Sequence, residues 1–100
     1  MPLKGEYAEI AAAGSTQATA TEMPSYTCFV SSGTGGVMLP PMNKTEDAYV
    51  VNGTAVEVNV YPRVGGKINN STANLAVLLP PNMACHVRAI NGAGDVIAIF

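Results

Sequence analysis

The chain has one histidine, His86, two cysteines, Cys28 and Cys85, and seven carboxylates. Acid-base, nucleophilic or metal chemistry would have to be assembled from these. General-base work needs an orienting partner, and a metal site needs several ligands at close spacing. His86 is flanked by Cys85 and Val87, with no further ligand nearby, and reads as a partly exposed strand histidine. The cysteines belong to no Cys-x-x-Cys or Cys/His spacing and read as small buried hydrophobes, a disulfide between them being the alternative. Pairing Glu57 with Asp95 as acid and base has no support beyond coincidence. The run Gly33-Thr34-Gly35-Gly36 has the composition of a phosphate-cradling loop. It lacks the following Lys-Ser/Thr and any helix pattern, and so reads as a turn. Ser15, Ser25, Ser31, Ser32 and Ser71 lack a Gly-x-Ser-x-Gly context. The expectation is a protein that is not an enzyme, with no catalytic, cofactor-binding or metal-binding residues.

Composition narrows the partners. Charged residues make up 12% of the 100-residue chain and apolar residues 48%, against roughly 25% charged in an average soluble domain. A surface so poor in charge usually covers part of itself with neighbours, which predicts a homo-oligomer, a dimer or trimer. The formal net charge is −2, and Lys4, Lys44, Arg63, Lys67 and Arg88 are scattered. Direct nucleic-acid binding, which needs clustered basic residues, is therefore not expected. No run approaches the roughly 20 apolar residues of a membrane span. Glu6 and Glu9 interrupt what would be the apolar part of a signal peptide, so the chain reads as made in the cytoplasm and unprocessed. Four Asn-x-Ser/Thr sequons, beginning at Asn43, Asn52, Asn69 and Asn70, then serve as turn residues.

These residues must be positioned by strands. From Tyr26 onward, short runs rich in Val, Ile, Tyr and Thr alternate with Gly, Pro and Asn, predicting strands at 26–30, 36–39, 47–51, 55–61, 73–79, 83–90 and 95–100. The fold class expected is all-β, an antiparallel β-sandwich or jelly roll, with residues 26–100 as a single domain. Residues 1–25 are small and without clear period, and read as an extended N-terminal arm or an edge segment. The arm, Tyr7 to Tyr26, is the expected contact region.

Segments 37–61 and 77–100 share a plan: strand, Leu-Pro-Pro corner, strand, Asn-Gly turn, strand. Asn-Gly between apolar runs is a strong hairpin signal, because both turn positions take positive φ. A two-residue turn at Asn52-Gly53 would set Val51 opposite Thr54, Tyr49 opposite Val56 and Asp47 opposite Val58. Tyr49, Val51, Val56, Val58 and Val60 would then share one face, with Ala48, Glu57 and Asn59 on the other. The same turn at Asn91-Gly92 would set Arg88 opposite Asp95 and Val87 opposite Val96. Ile97 and Ile99 would lie on the opposite face from Val87 and Val96. A strand apolar on both faces is either central or covered by a partner chain.

The run AYVVNGTAVEVNVYPRVGGKINNSTANLAVLLP resembles a pattern in small virion proteins of tailed bacteriophages. In that pattern Leu-Pro precedes a strand. There follow an apolar-Asn-Gly turn, a strand ending in Val-Tyr-Pro, a Gly-Gly turn, Ile-Asn, and an Ala/Asn-rich stretch. Leu39-Pro40, Val51 to Gly53, Val58 to Pro62, Gly65-Gly66, Ile68-Asn69 and Ala73-Asn74 occupy these places; the Trp expected near the end is absent. Among such proteins the size suits head decoration or cement proteins. The resemblance implies a compact β-protein on the outer capsid surface that bridges major capsid protein subunits. The alternative is an accessory tail or tail-fibre module binding a ligand or host carbohydrate. Such sites favour exposed aromatics, and this chain has no Trp and six Tyr and Phe in all.

Overall fold

The structure is a computed structural model in which residues 7–100 are described. The β-branched and aromatic runs form strands, and the Gly, Pro and Asn clusters break them. The strands are β1 (Tyr7–Ala12), β2 (Thr21–Glu22), β3 (Thr27–Gly33), β4 (Gly35–Met38), β5 (Asp47–Asn52), β6 (Val58–Tyr61), β7 (Val77–Leu79), β8 (Ala84–Ala89) and β9 (Val96–Ile99), with one short 3-10 turn at Gln17–Thr19. The protein is thus all-β. None of the described helices is long and apolar enough to cross a membrane.

The strands form two sheets, one of five strands ordered β1-β3-β5-β8-β9 and one of four ordered β2-β4-β6-β7. The sheets are mixed, which corrects the antiparallel expectation. β1, β3 and β5 run parallel, as do β2, β4 and β6, and only the pairs made by β7, β8 and β9 are antiparallel. The reason is the path of the chain. Through β6 each strand belongs to the sheet opposite its predecessor, so the chain returns to a sheet two strands later running the same way. Both sheets feed one core, in which Val30, Val50 and Val87 of the larger sheet meet Val37, Val58, Val60 and Leu79 of the smaller.

The described part of the first 25 residues is tied to this core rather than extended from it. β1 pairs along its length with β3, and Ala8, Ile10 and Ala12 pack on the core. The following segment lies against the smaller sheet, where Ala20 packs with Met38 and Tyr61. Tyr61 donates a hydrogen bond from its hydroxyl to the Ser15 carbonyl (3.3 Å), and Gln17 donates from Nε2 to the Pro62 carbonyl (2.7 Å). Ordering entropy favours an arm only when no apolar surface is available to it; here two sheets offer some. Residues 1–6 of the expected arm lie outside the described residues.

The Asn52-Gly53 hairpin is also corrected. β5 pairs with β3 and β8, and β6 lies in the other sheet. Ala48, Val50 and Asn52 therefore face the core, while Tyr49 is exposed and Val51 half-buried, inverting the faces expected of β5, whereas Val58 and Val60 of β6 are buried. Asn52 is fully buried. Its amide nitrogen donates to the carbonyls of Val56 (2.8 Å), Leu79 (3.1 Å) and Pro80 (3.1 Å). Its Oδ1 accepts from the Thr54 backbone nitrogen (2.9 Å) and hydroxyl (2.7 Å). The two Leu-Pro-Pro segments keep their shared plan: each takes the chain from the smaller sheet to the larger, β4 to β5 and β7 to β8. The plans part at the Asn-Gly pairs. After Gly53 the chain crosses sheets, and after Gly92 it folds back as β9.

That second turn is longer than two residues. Arg88 lies opposite Ile97 and Val87 opposite Ala98, a two-residue slip from the expected register that preserves the faces and removes the Arg88–Asp95 pairing. Outside β9, Ile68 bridges Val96 in parallel. Asn69 Oδ1 accepts from the Ala98 nitrogen (2.8 Å), and its Nδ2 donates to the Ala98 carbonyl (3.2 Å).

Two outcomes follow. Asn52→Ala leaves three carbonyls without their buried donor and is expected to cost about 2–3 kcal/mol, read as a lower urea midpoint. Asn52→Asp keeps the Thr54 acceptor and turns a carboxylate toward those carbonyls, so its midpoint should fall further. Removal of the first 20 residues strips β1 from the core, and the remainder should lose its cooperative unfolding transition; a truncated chain as stable as the full one contradicts this packing.

Candidate functional site

The face of the five-stranded sheet turned away from the core carries the largest grouping of chemically distinctive side chains. Alternation along β5 points Asp47 and Tyr49 outward, and along β8 it does the same for His86 and Arg88. Antiparallel register puts Asp47 directly opposite Arg88 and Tyr49 directly opposite His86. On the neighbouring edge strand β9, Ile97 and Ile99 extend the same face.

The polar half of this face is internally neutralised. Arg88 grips Asp47 with both arms of its guanidinium, Nε to Oδ1 at 2.9 Å and an Nη to Oδ2 at 3.1 Å. His86 Nε2 lies 3.0 Å from the same Oδ1. The His86 ring also stacks on Tyr49, centroids 4.7 Å apart and planes 9° from parallel, a cross-strand contact worth about 0.5–1 kcal/mol. Arg88 first and His86 second hold the Asp47 carboxyl down at about 2, against an ordinary 3.8.

The apolar half is uncovered. Tyr49 is 45%, Ile97 42% and Ile99 62% exposed. Ile97 and Ile99, together with Thr45 and Ile90, border a shallow groove of about 480 Å³ beside His86 and Arg88. His86 faces a carboxylate already shared with Arg88, and its ring is stacked on Tyr49.

The other residues weighed for chemistry are dispersed. Cys28 and Cys85 are buried and free, one on each side of Val50 on the core face. Two strand spacings of about 4.8 Å put them beyond disulfide reach. Burial raises both thiols, Cys85 to about 11, which keeps them in the unreactive neutral form. Asp95 accepts from the Lys67 backbone nitrogen (3.1 Å) and from the Asn91 side-chain amide (3.1 Å), while Glu57 is exposed at the entrance to β6, so these two do not form a pair. The glycines at 33 and 35 adopt φ of +84° and +116°, and a side chain on either would run into the backbone at Ala12 to Gly14. They permit strand contact rather than anion binding. Among the described residues no group of three or more His, Cys, Asp or Glu side chains could hold a metal ion.

The Asp47–Arg88–His86–Tyr49 cluster is absent from the sequence reading, although its signal is there. Asp-x-Tyr and His-x-Arg have the two-residue spacing of one strand face, but only the β5–β8 pairing brings them together. Comparison with known protein families, characterised proteins and solved structures returned no match.

The lowered Asp47 carboxyl has a definite pH signature. Its contribution to stability is complete above the ordinary carboxylate value and is lost as pH falls toward 2. Asp47→Asn should therefore be less stable than the parent near pH 6, by about 0.5–1 kcal/mol for so exposed a cluster, and should match it near pH 2. Chemical denaturation at the two pH values measures this; an undiminished gap at pH 2 would rule out the ion pair as its source.

Proposed function

We propose that the protein is a non-enzymatic virion structural protein, a head decoration or cement protein of a tailed bacteriophage. Its two sheets act as the layers of a β-sandwich that bridges major capsid protein subunits on the outside of the shell. The observation that carries the reading is the outer face of the five-stranded sheet. It exposes Tyr49, Ile97 and Ile99 beside an ionic cluster that neutralises itself, on a chain with few charges elsewhere. A flat face of this kind suits contact with a neighbouring protein. The resemblance of residues 37–100 to small phage virion proteins supplies the context. The contact is assigned to this face rather than to Tyr7 to Tyr26, whose described part pairs within the two sheets.

A lattice offers many copies of one site. A protein that binds only the expanded shell stabilises it by RT ln(1 + [L]/Kd) per site, and dimers or trimers add their contacts multivalently. Synthesis in the host cytoplasm followed by addition to the particle fits this role. Tyr49 weighs against the carbohydrate-binding alternative, since the His86 ring occupies one of the faces a sugar would stack on.

Replacing Ile97 and Ile99 together by Glu should leave the fold intact, because both are on the exposed face. It should abolish self-association in light scattering and co-sedimentation with expanded heads. A variant that still associates and binds would place the contact elsewhere, and absence of the protein from purified particles would remove the virion role altogether.

A further inference from the structure

The two Asn-Gly pairs share a local geometry and differ in chemical exposure. In both, Oδ1 of the asparagine accepts from the backbone nitrogen two residues on, Thr54 at 2.9 Å and Ala93 at 2.8 Å. An asparagine amide is lost when the next residue's backbone nitrogen attacks the side-chain carbonyl carbon. Glycine in that next position favours attack, having no side chain to shield its nitrogen or stiffen the chain.

At Asn52-Gly53 every requirement is blocked. Asn52 is fully buried, and its amide nitrogen is committed to three carbonyls. The Gly53 nitrogen donates to the Val30 carbonyl at 2.9 Å, and the Phe29 ring is pressed against the glycine. At Asn91-Gly92 the requirements are met. Gly92 is exposed and has open space where a side chain would stand. Its nitrogen meets no acceptor among the described residues. Donors from Ala93 and Asp95 both point at Asn91 Oδ1, polarising the carbonyl under attack.

We propose that Asn91 is a self-modifying site, converting to aspartate and isoaspartate in the folded protein while Asn52 is preserved. The Gly92 nitrogen forms a bond to Asn91 Cγ, and the amide nitrogen leaves as ammonia with the glycine N–H proton, closing a succinimide. Water then opens the ring at one or other carbonyl, and no further reactant is needed. The product has a local effect. Asn91 Nδ2 donates to Asp95 Oδ2 at 3.1 Å, and conversion replaces that donor with a second carboxylate. The 91–94 loop lines a cleft of about 370 Å³ with the Pro40-Pro41 corner and Arg63. Conversion thus puts a new negative charge into this cleft, on a chain of net charge −2.

The test is to incubate the full-length protein at mildly alkaline pH and 37 °C, follow the peptides containing Asn91 and Asn52 by mass spectrometry, and run a urea-unfolded control. In the folded protein Asn91 should convert on the order of tenfold or more faster than Asn52, a ratio needing only about 1.4 kcal/mol of local opening free energy at Asn52. In urea the two rates should converge. Gly92→Ala, which the open space accommodates, should slow conversion at Asn91 severalfold without lowering the thermal midpoint. Equal folded rates at the two sites overturn the proposal, as does an Asn91 that stays intact while the unfolded chain converts or an unchanged rate in Gly92→Ala.

Discussion

A chain that changes sheet must carry polar backbone through or around an apolar core, and each such passage leaves carbonyls and N–H groups without ladder partners. Asn52 resolves this at the busiest passage. From the last position of β5 it bonds the approach to β6 through Val56 and the end of β7 and its corner through Leu79 and Pro80. Its own backbone nitrogen donates to Met83 at 2.8 Å, ahead of β8. One side chain thus ties together the ends of strands from both sheets. The parallel pairing of β3 with β5 and of β4 with β6 depends on that crossing being fixed.

The same alternation shapes the candidate site. Because β5 is placed by its neighbours β3 and β8, its core face is the one containing Asn52, and Asp47 and Tyr49 are left outside. Only then do His86 and Arg88 find partners. The cluster flattens and neutralises the middle of the sheet, while β9, coming last, presents its isoleucines at the margin. The face is therefore a by-product of how the crossing is secured.

Strand positions from Tyr26 onward were legible because β-branched runs and Gly/Pro breaks are local signals. The two Leu-Pro-Pro corners were legible for the same reason. Partner choice was not legible. Asn-Gly favours a tight turn only when its side chain has no better bonds to make, and at Asn52 it has five. The segment Ala48 to Asn52 is apolar at nearly every position, so its alternation could not settle which set faces inward; the buried asparagine did. At Asn91 a bonded side chain again lengthened the turn, so that Arg88 lies opposite Ile97 rather than Asp95. Of the functional face, Ile97 and Ile99 were foreseen as a second apolar side of β9, whereas the ionic cluster needed a pairing between residues some 39 positions apart.

The backbone of Lys67 and Asn69 pairs with Val96, and the Asn69 side chain presents Ala98 with one donor and one acceptor, so the β9 margin of the sheet is closed. A sheet closed along one margin can be lengthened only from the other. Any joining of copies by strand pairing then stops at a pair, because the second copy brings an equally closed margin to the outside. Endless edge-to-edge polymerisation, the standing hazard of β-sheet edges, is thereby denied to this sheet by three residues, Lys67 to Asn69.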